Sequence, residues 1–274
     1  MNWSRAFTVA RTDLKQLLRA KDFWIPMAVL GLLFFVAVPT ALLLLVTQLG
    51  SVEAIAQVSQ TFDSLPAAAQ EQVEGATPEG RTGFALAVFL VAPVAVVVPL
   101  TISTAVGAAT IVGEREKGTG EFLANSPAGV REIYIGKLIA SLVPGYLTTI
   151  VGFTFYSLIV NVLVGPEVGG WFFPTAQWWV MILWVLPPFL MICLSLVLRL
   201  SARVQSTAAA QQASGLVSLP LIAIAYAQST GALFGAAWVP FALGAAAWVL
   251  ALVSLSRGVR SVTRARLLGV GPGL

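Results

Sequence analysis

Hydrophobic side chains arrive along the chain in six long blocks, free of charge but for Lys137 at an edge, at roughly 24–46, 84–112, 135–163, 177–198, 208–227 and 233–255. A helix that crosses the hydrocarbon core needs about 20 mostly apolar residues, and every block reaches or approaches that length. The pattern predicts an all-α integral membrane protein with six transmembrane helices in one membrane domain, residues 23–260. Residues 1–22 carry a different rhythm. Trp3, Phe7, Ala10, Leu14, Leu17 and Leu18 recur at helical spacing, while Arg5, Asp13, Lys15 and Arg19 fall off their stripe. An amphipathic helix of this kind is expected to lie in the membrane interface, with Trp3, Phe7, Arg11, Leu14 and Leu18 as its lipid contacts. A plain basic anchor ahead of the first span is the other reading, and the two are compatible.

Composition supports the bilayer as the solvent. Of the 274 residues 58% are hydrophobic and 10% charged, against roughly 25% charged in soluble domains, and the mean hydropathy is +0.88. The first block follows more than twenty residues with five basic side chains, so it is expected to stay as an anchor rather than be cleaved. Fifteen of the 16 Lys and Arg residues flank the spans on one face, leaving Arg81 alone on the other with Glu53, Asp63, Glu71, Glu74, Glu79 and Glu167. Positive charge marks the cytoplasmic side. Both termini, including the tail 261–274, are therefore placed in the cytoplasm and the chain in the plasma membrane. The basic clusters all border spans, so lipid and orientation account for them and no nucleic-acid partner is expected. The external segment 47–82 is acidic, broken by Pro66, Gly75, Pro78 and Gly80, and reads as an ordinary loop or as a cap over an exit path.

Chemistry is scarce. Cys193 is the lone cysteine and histidine is absent, so neither a disulfide nor a metal site is expected. Apart from Lys137 at the edge of its block, no Asp, Glu, Lys or Arg falls within the blocks, which disfavours proton relays and intramembrane acid–base catalysis. The phosphate-cradling G-x-x-x-x-G-K-[ST] loop is missing as well. The chain is expected not to be an enzyme and to bind no cofactor; any ATP and Mg would sit on a partner subunit. Thr104, Thr148, Tyr156, Asn161 and Gln212 are candidates for a mildly polar translocation path, although hydroxyl and amide groups also serve as helix-packing contacts. Trp171, Trp178, Trp179 and Trp184 read as an interfacial belt.

One segment breaks the economy of charge. Residues 113–137 read GEREKGTGEFLANSPAGVREIYIGK and join the second span to the third. Without further information this is a solvated elbow whose charges orient the helices. Its residues nevertheless resemble the cytoplasmic signature of ABC transporter type-2 permeases: Gly113, Glu114, Arg115, Glu116, Gly118, Thr119 and Glu121, then Ser126-Pro127, then Glu132, Ile133, Gly136 and Lys137. Gly120 stands where that family usually has Leu. Within the family the chain looks most similar to the sodium-efflux/drug-exporter-like branch.

The resemblance implies a permease subunit moving substrate outward by alternating access, a second permease copy or close paralogue beside it, and cytoplasmic ABC ATPase subunits as motors. It places ATPase coupling on Glu114, Arg115, Glu116, Lys117, Gly118, Thr119, Glu121, Ser126, Pro127, Glu132 and Lys137. The uncharged path suits an amphipathic or hydrophobic cargo. An ion channel or ion-coupled carrier, or a membrane scaffold that transports nothing, are the alternatives.

Overall fold

The computed structural model of the chain describes residues 2–47, 55–56, 60, 67–91, 94–116, 125–201, 204, 207–217, 219–229 and 238–261. Among them every regular element is helical. Lipid offers backbone groups no hydrogen bonds, and a helix satisfies its own. Among the described residues five helical runs are long and apolar enough to cross a bilayer: Phe23–Thr47, Pro78–Thr110, Val130–Leu163, Ala176–Ser201 and Val239–Arg260. They match five of the six blocks. The block at 208–227 is covered by two helices of 11 residues, Thr207–Val217 and Leu219–Ser229, and residue 218 between them lies outside the described residues.

Helix α1 (Trp3–Arg19) starts where the Asn2 side chain accepts the Ser4 amide at 3.0 Å, and it stops at extended Ala20. The first span then comprises α2 (Lys21–Leu32), a π turn at Leu33–Ala37 and α3 (Val38–Thr47). A short helix α4 (Ala67–Gln70) follows. The second run opens with α5 (Pro78–Ala85), capped by Thr77 Oγ1 on the Gly80 amide at 3.0 Å, with Pro78 in its first turn. After a second π turn, Leu86–Val91, comes α6 (Val94–Glu116). Helix α7 (Val130–Leu163) is the third run, and α8 (Gly165–Val168) closes on Gly169 at φ 105°. The fourth run is α9 (Ala176–Val180), a π turn at Met181–Val185 and α10 (Leu186–Ser201). The pair α11 (Thr207–Val217) and α12 (Leu219–Ser229) precedes α13 (Val239–Ser261).

The second run is the hub. Its membrane window is 79% buried, against 28% for the first and last, and α6 packs against α7, α10, α11 and α12. Helix α7 has 34 residues, hence a length of about 51 Å, and outreaches a hydrocarbon core of about 30 Å.

The π turns expose carbonyls that a regular helix would keep in register, and side chains of neighbouring helices take them up. Tyr156 Oη donates to Ala87 O at 2.6 Å, Trp178 Nε1 to Val88 O at 3.3 Å and Tyr146 Oη to Ile182 O at 3.1 Å. Around them Phe89, Phe153, Tyr156, Phe173 and Trp178 form the main core, away from the elbow. Trp178 thus departs from the expected belt: it is fully buried because its indole N–H has an acceptor inside, whereas Trp171, Trp179 and Trp184 stay exposed.

Candidate coupling site and membrane path

At the elbow end, α7 begins at Gly129, which has no side chain with which to cap the helix. Glu132, in the first turn, supplies half of a capping box: its Oε2 accepts the Gly129 amide at 2.9 Å. The other oxygen, Oε1, accepts the Asn2 amide at 2.7 Å. Arg5 Nη1 lies 4.0 Å from Oε2 and donates to Pro127 O at 2.8 Å. A single carboxylate therefore caps α7 and holds the start of α1, through hydrogen bonds strengthened by its charge.

One turn further, Gly136 lets the two helices close. A Cβ there would lie 2.8 Å from both Ala6 O and Val9 Cβ, so only glycine permits this approach. Next to it Lys137 is wholly buried, its Nζ 2.6 Å from Thr110 O on α6 and 3.3 Å from Asp13 Oδ2 on α1. Asp13 had the look of a residue on the solvated flank of α1. It is buried instead, because the flank it shares with Ala6 and Ala10 packs on α7 and because Lys137 meets its charge. Trp3, Phe7 and Leu18 remain exposed on a second face and Arg11 is exposed too, while Leu14 is half-buried. A third network ties α7 to α10 and α13: Tyr134 Oη is 2.9 Å from Ser195 Oγ, and Arg199 Nη2 donates to Ser254 O and Oγ at 3.0 Å each.

Of the elbow residues, Glu114, Arg115 and Glu116 complete the backbone of α6. Lys117, Gly118, Thr119 and Glu121 lie outside the described residues. Ser126 is half-buried and Pro127 exposed beneath Arg5. Four of the five path candidates bond to backbone carbonyls within the bundle. Thr104 and Thr148 bond their own helices, to Leu100 O at 2.7 Å and Pro144 O at 2.8 Å. Tyr156 is held by Ala87, as above. Asn161 Nδ2 donates to Ser157 O at 2.8 Å and Phe173 O at 2.5 Å, and its Oδ1 accepts the amides of Phe172 and Phe173 at 2.9 and 3.0 Å. Gln212 is exposed on α11. At the end away from the elbow, Gln72, Phe84, Phe172 and Thr175 help line a cavity of about 210 Å³.

Sequence reasoning missed Arg5, Tyr134, Ser195, Arg199 and Ser254 and misplaced Asp13. A signal existed for Asp13 alone: it is the one acid in a helix otherwise basic, and it shares a flank with two alanines. Arg5 joins the site only through the packing of α1 on the start of α7, and the others only through the crossing of α7, α10 and α13.

No curated protein matches the chain in a sequence comparison. A family model does, that of the ABC-2 family transporter proteins, over residues 7–268. That match takes in most of α1, the elbow and all five spanning runs, and the chain is accordingly a multi-pass membrane protein that belongs to the ABC-2 transporter family.

Proposed function

We propose that the chain is the permease subunit of an ATP-binding-cassette exporter, driven by separate cytoplasmic ATPase subunits that dock on the elbow 113–137. One observation carries the reading. The elbow leaves the central, most enclosed helix of the bundle and returns into a helix whose cap, Glu132, also holds α1. A push on the elbow thus acts on three elements together, and through α6 on most of the bundle. Glu114, Arg115, Glu116, Lys117 and Glu121 offer both signs of charge, which fixes partner and register at a docking surface.

ATP and Mg stay on the partner, and the permease supplies the moving walls. Two copies, or a copy and a paralogue, enclose the path, with α11 and α12 together as the sixth span. The exposed apolar face of α1 rests on the cytoplasmic leaflet of the plasma membrane, with both termini in the cytoplasm. An uncharged path of hydroxyl and amide groups suits an amphipathic or hydrophobic cargo moved outward.

Isolation of the full chain from its own membranes, with identification of the soluble proteins that accompany it, tests this reading. A Walker-type ATPase is expected to co-purify, and Glu114→Lys with Glu116→Lys to cut its recovery at least tenfold while the chain stays inserted. Recovery of no ATPase, or the same amount with the reversed charges, would overturn the proposal.

A further inference from the structure

We infer that Asp13, Lys137 and the Thr110 carbonyl form a buried ionic bolt that makes α1, α6 and α7 move as one body, so that Lys137 positions helices and does not touch the ATPase. The inference deepens the coupling role given to the elbow and rests on that reading for its purpose, not for its geometry.

Lys137 belongs to the signature that the sequence assigns to docking, yet no part of it reaches the surface. Its ammonium binds a carboxylate of α1 and a carbonyl of α6 from a base on α7. An ammonium or carboxylate stranded out of water costs several kcal/mol, so parting α1 from α7 strands both charges, and withdrawing α6 takes from the ammonium its shortest hydrogen bond. The contact is directional as well: an apolar patch tolerates sliding by a fraction of a turn, whereas a short N–H···O bond does not. Glycine at 136 brings α1 close enough for Asp13 to reach, and Glu132 fixes the same two helices just over a turn away. Thr110 lies six residues before Glu116, where α6 enters the elbow. Displacement of the elbow is thereby carried to α1, which runs through Ala20 directly into the first span.

The test places spin labels at Arg11→Cys on α1 and Thr101→Cys on α6, both exposed, in the full chain with its co-purified ATPase in lipid nanodiscs. Distances are read by double electron–electron resonance without nucleotide and with trapped ATP. The bolt predicts a narrow distribution whose mode is the same in both states. Lys137→Met should at least double its width. The pair Asp13→Leu with Lys137→Met removes both charges and so spares the fold the isolated one, yet it should still broaden the distribution or make it respond to nucleotide.

A native mode that shifts with nucleotide would overturn the inference, and so would a paired variant that stays as narrow and unresponsive as the native chain. Should no ATPase accompany the native chain, the coupling function fails, but the widths in the chain alone still decide whether the bolt exists.

Discussion

Asn161 and Gly136 show how much a single side chain, or the lack of one, settles here. The Asn161 amide holds Phe172 and Phe173 against α7, so Asn161→Ala strands the amides of both, while the Phe173 carbonyl keeps Ser157 Oγ at 3.0 Å. Each unsatisfied buried group costs about 1–3 kcal/mol, and the variant should lose about 2–4 kcal/mol of stability, read as a lower unfolding midpoint in mixed micelles. An unchanged midpoint would mean that the clasp contributes nothing and that the residue is free to serve a path. Gly136→Ala should act on α1: the added methyl overpacks the contact with Ala6 and Val9, at a cost of about 1–3 kcal/mol. Amide exchange in α1 should then quicken roughly tenfold or more. At this scale the sequence was only partly legible. Elbow residues could be recognised by type and order, but whether Lys137 faces water or Asp13 depends on the crossing of α1 and α7, which no local pattern encodes.

Among the elements, the long apolar runs were legible because a charge-free stretch of about 20 residues has few other solutions than a spanning helix. What stayed hidden was how these runs begin and bend. The second starts at Pro78 rather than near 84, because polar residues there are sheltered: Thr77 Oγ1 bonds Glu167 Oε2 at 3.1 Å and Gly80 and Thr82 are buried. No residue type announces a π turn. The acceptors at Ala87, Val88 and Ile182 emerge only when Tyr156, Trp178 and Tyr146 come beside them. For α1 the stripe was readable, but the helix divides its circumference three ways: small residues with Asp13 toward α7, Trp3, Phe7 and Leu18 exposed, and the cations beyond. If the exposed apolar face lies in the leaflet, a spin label at Phe7→Cys should collide mainly with dissolved oxygen and one at Thr12→Cys mainly with a water-soluble nickel complex. Equal exposure of both to nickel would remove α1 from the membrane surface.

For the whole molecule the open question is parity. Five spans put the two ends of the chain on opposite sides of the membrane and six put them on the same side, so α11 and α12 decide the topology. Their 22 residues are apolar or mildly polar and carry no charge, and the basic residues after α10 and along the end of α13 belong on one face only if the pair crosses. Chemistry makes the test clean, because Cys193 is 2% exposed and contributes little background labelling. Single cysteines at Lys15, Glu71 and Arg257, all at exposed positions, would be treated with a membrane-impermeant maleimide in intact cells and again after permeabilisation. Glu71→Cys should react at once, and Lys15→Cys and Arg257→Cys only after the membrane is opened. Early labelling of Arg257→Cys with protected Lys15→Cys would mean five crossings. That result would leave α11 and α12 on one side of the bilayer and the fifteen-to-one division of charge without its cause.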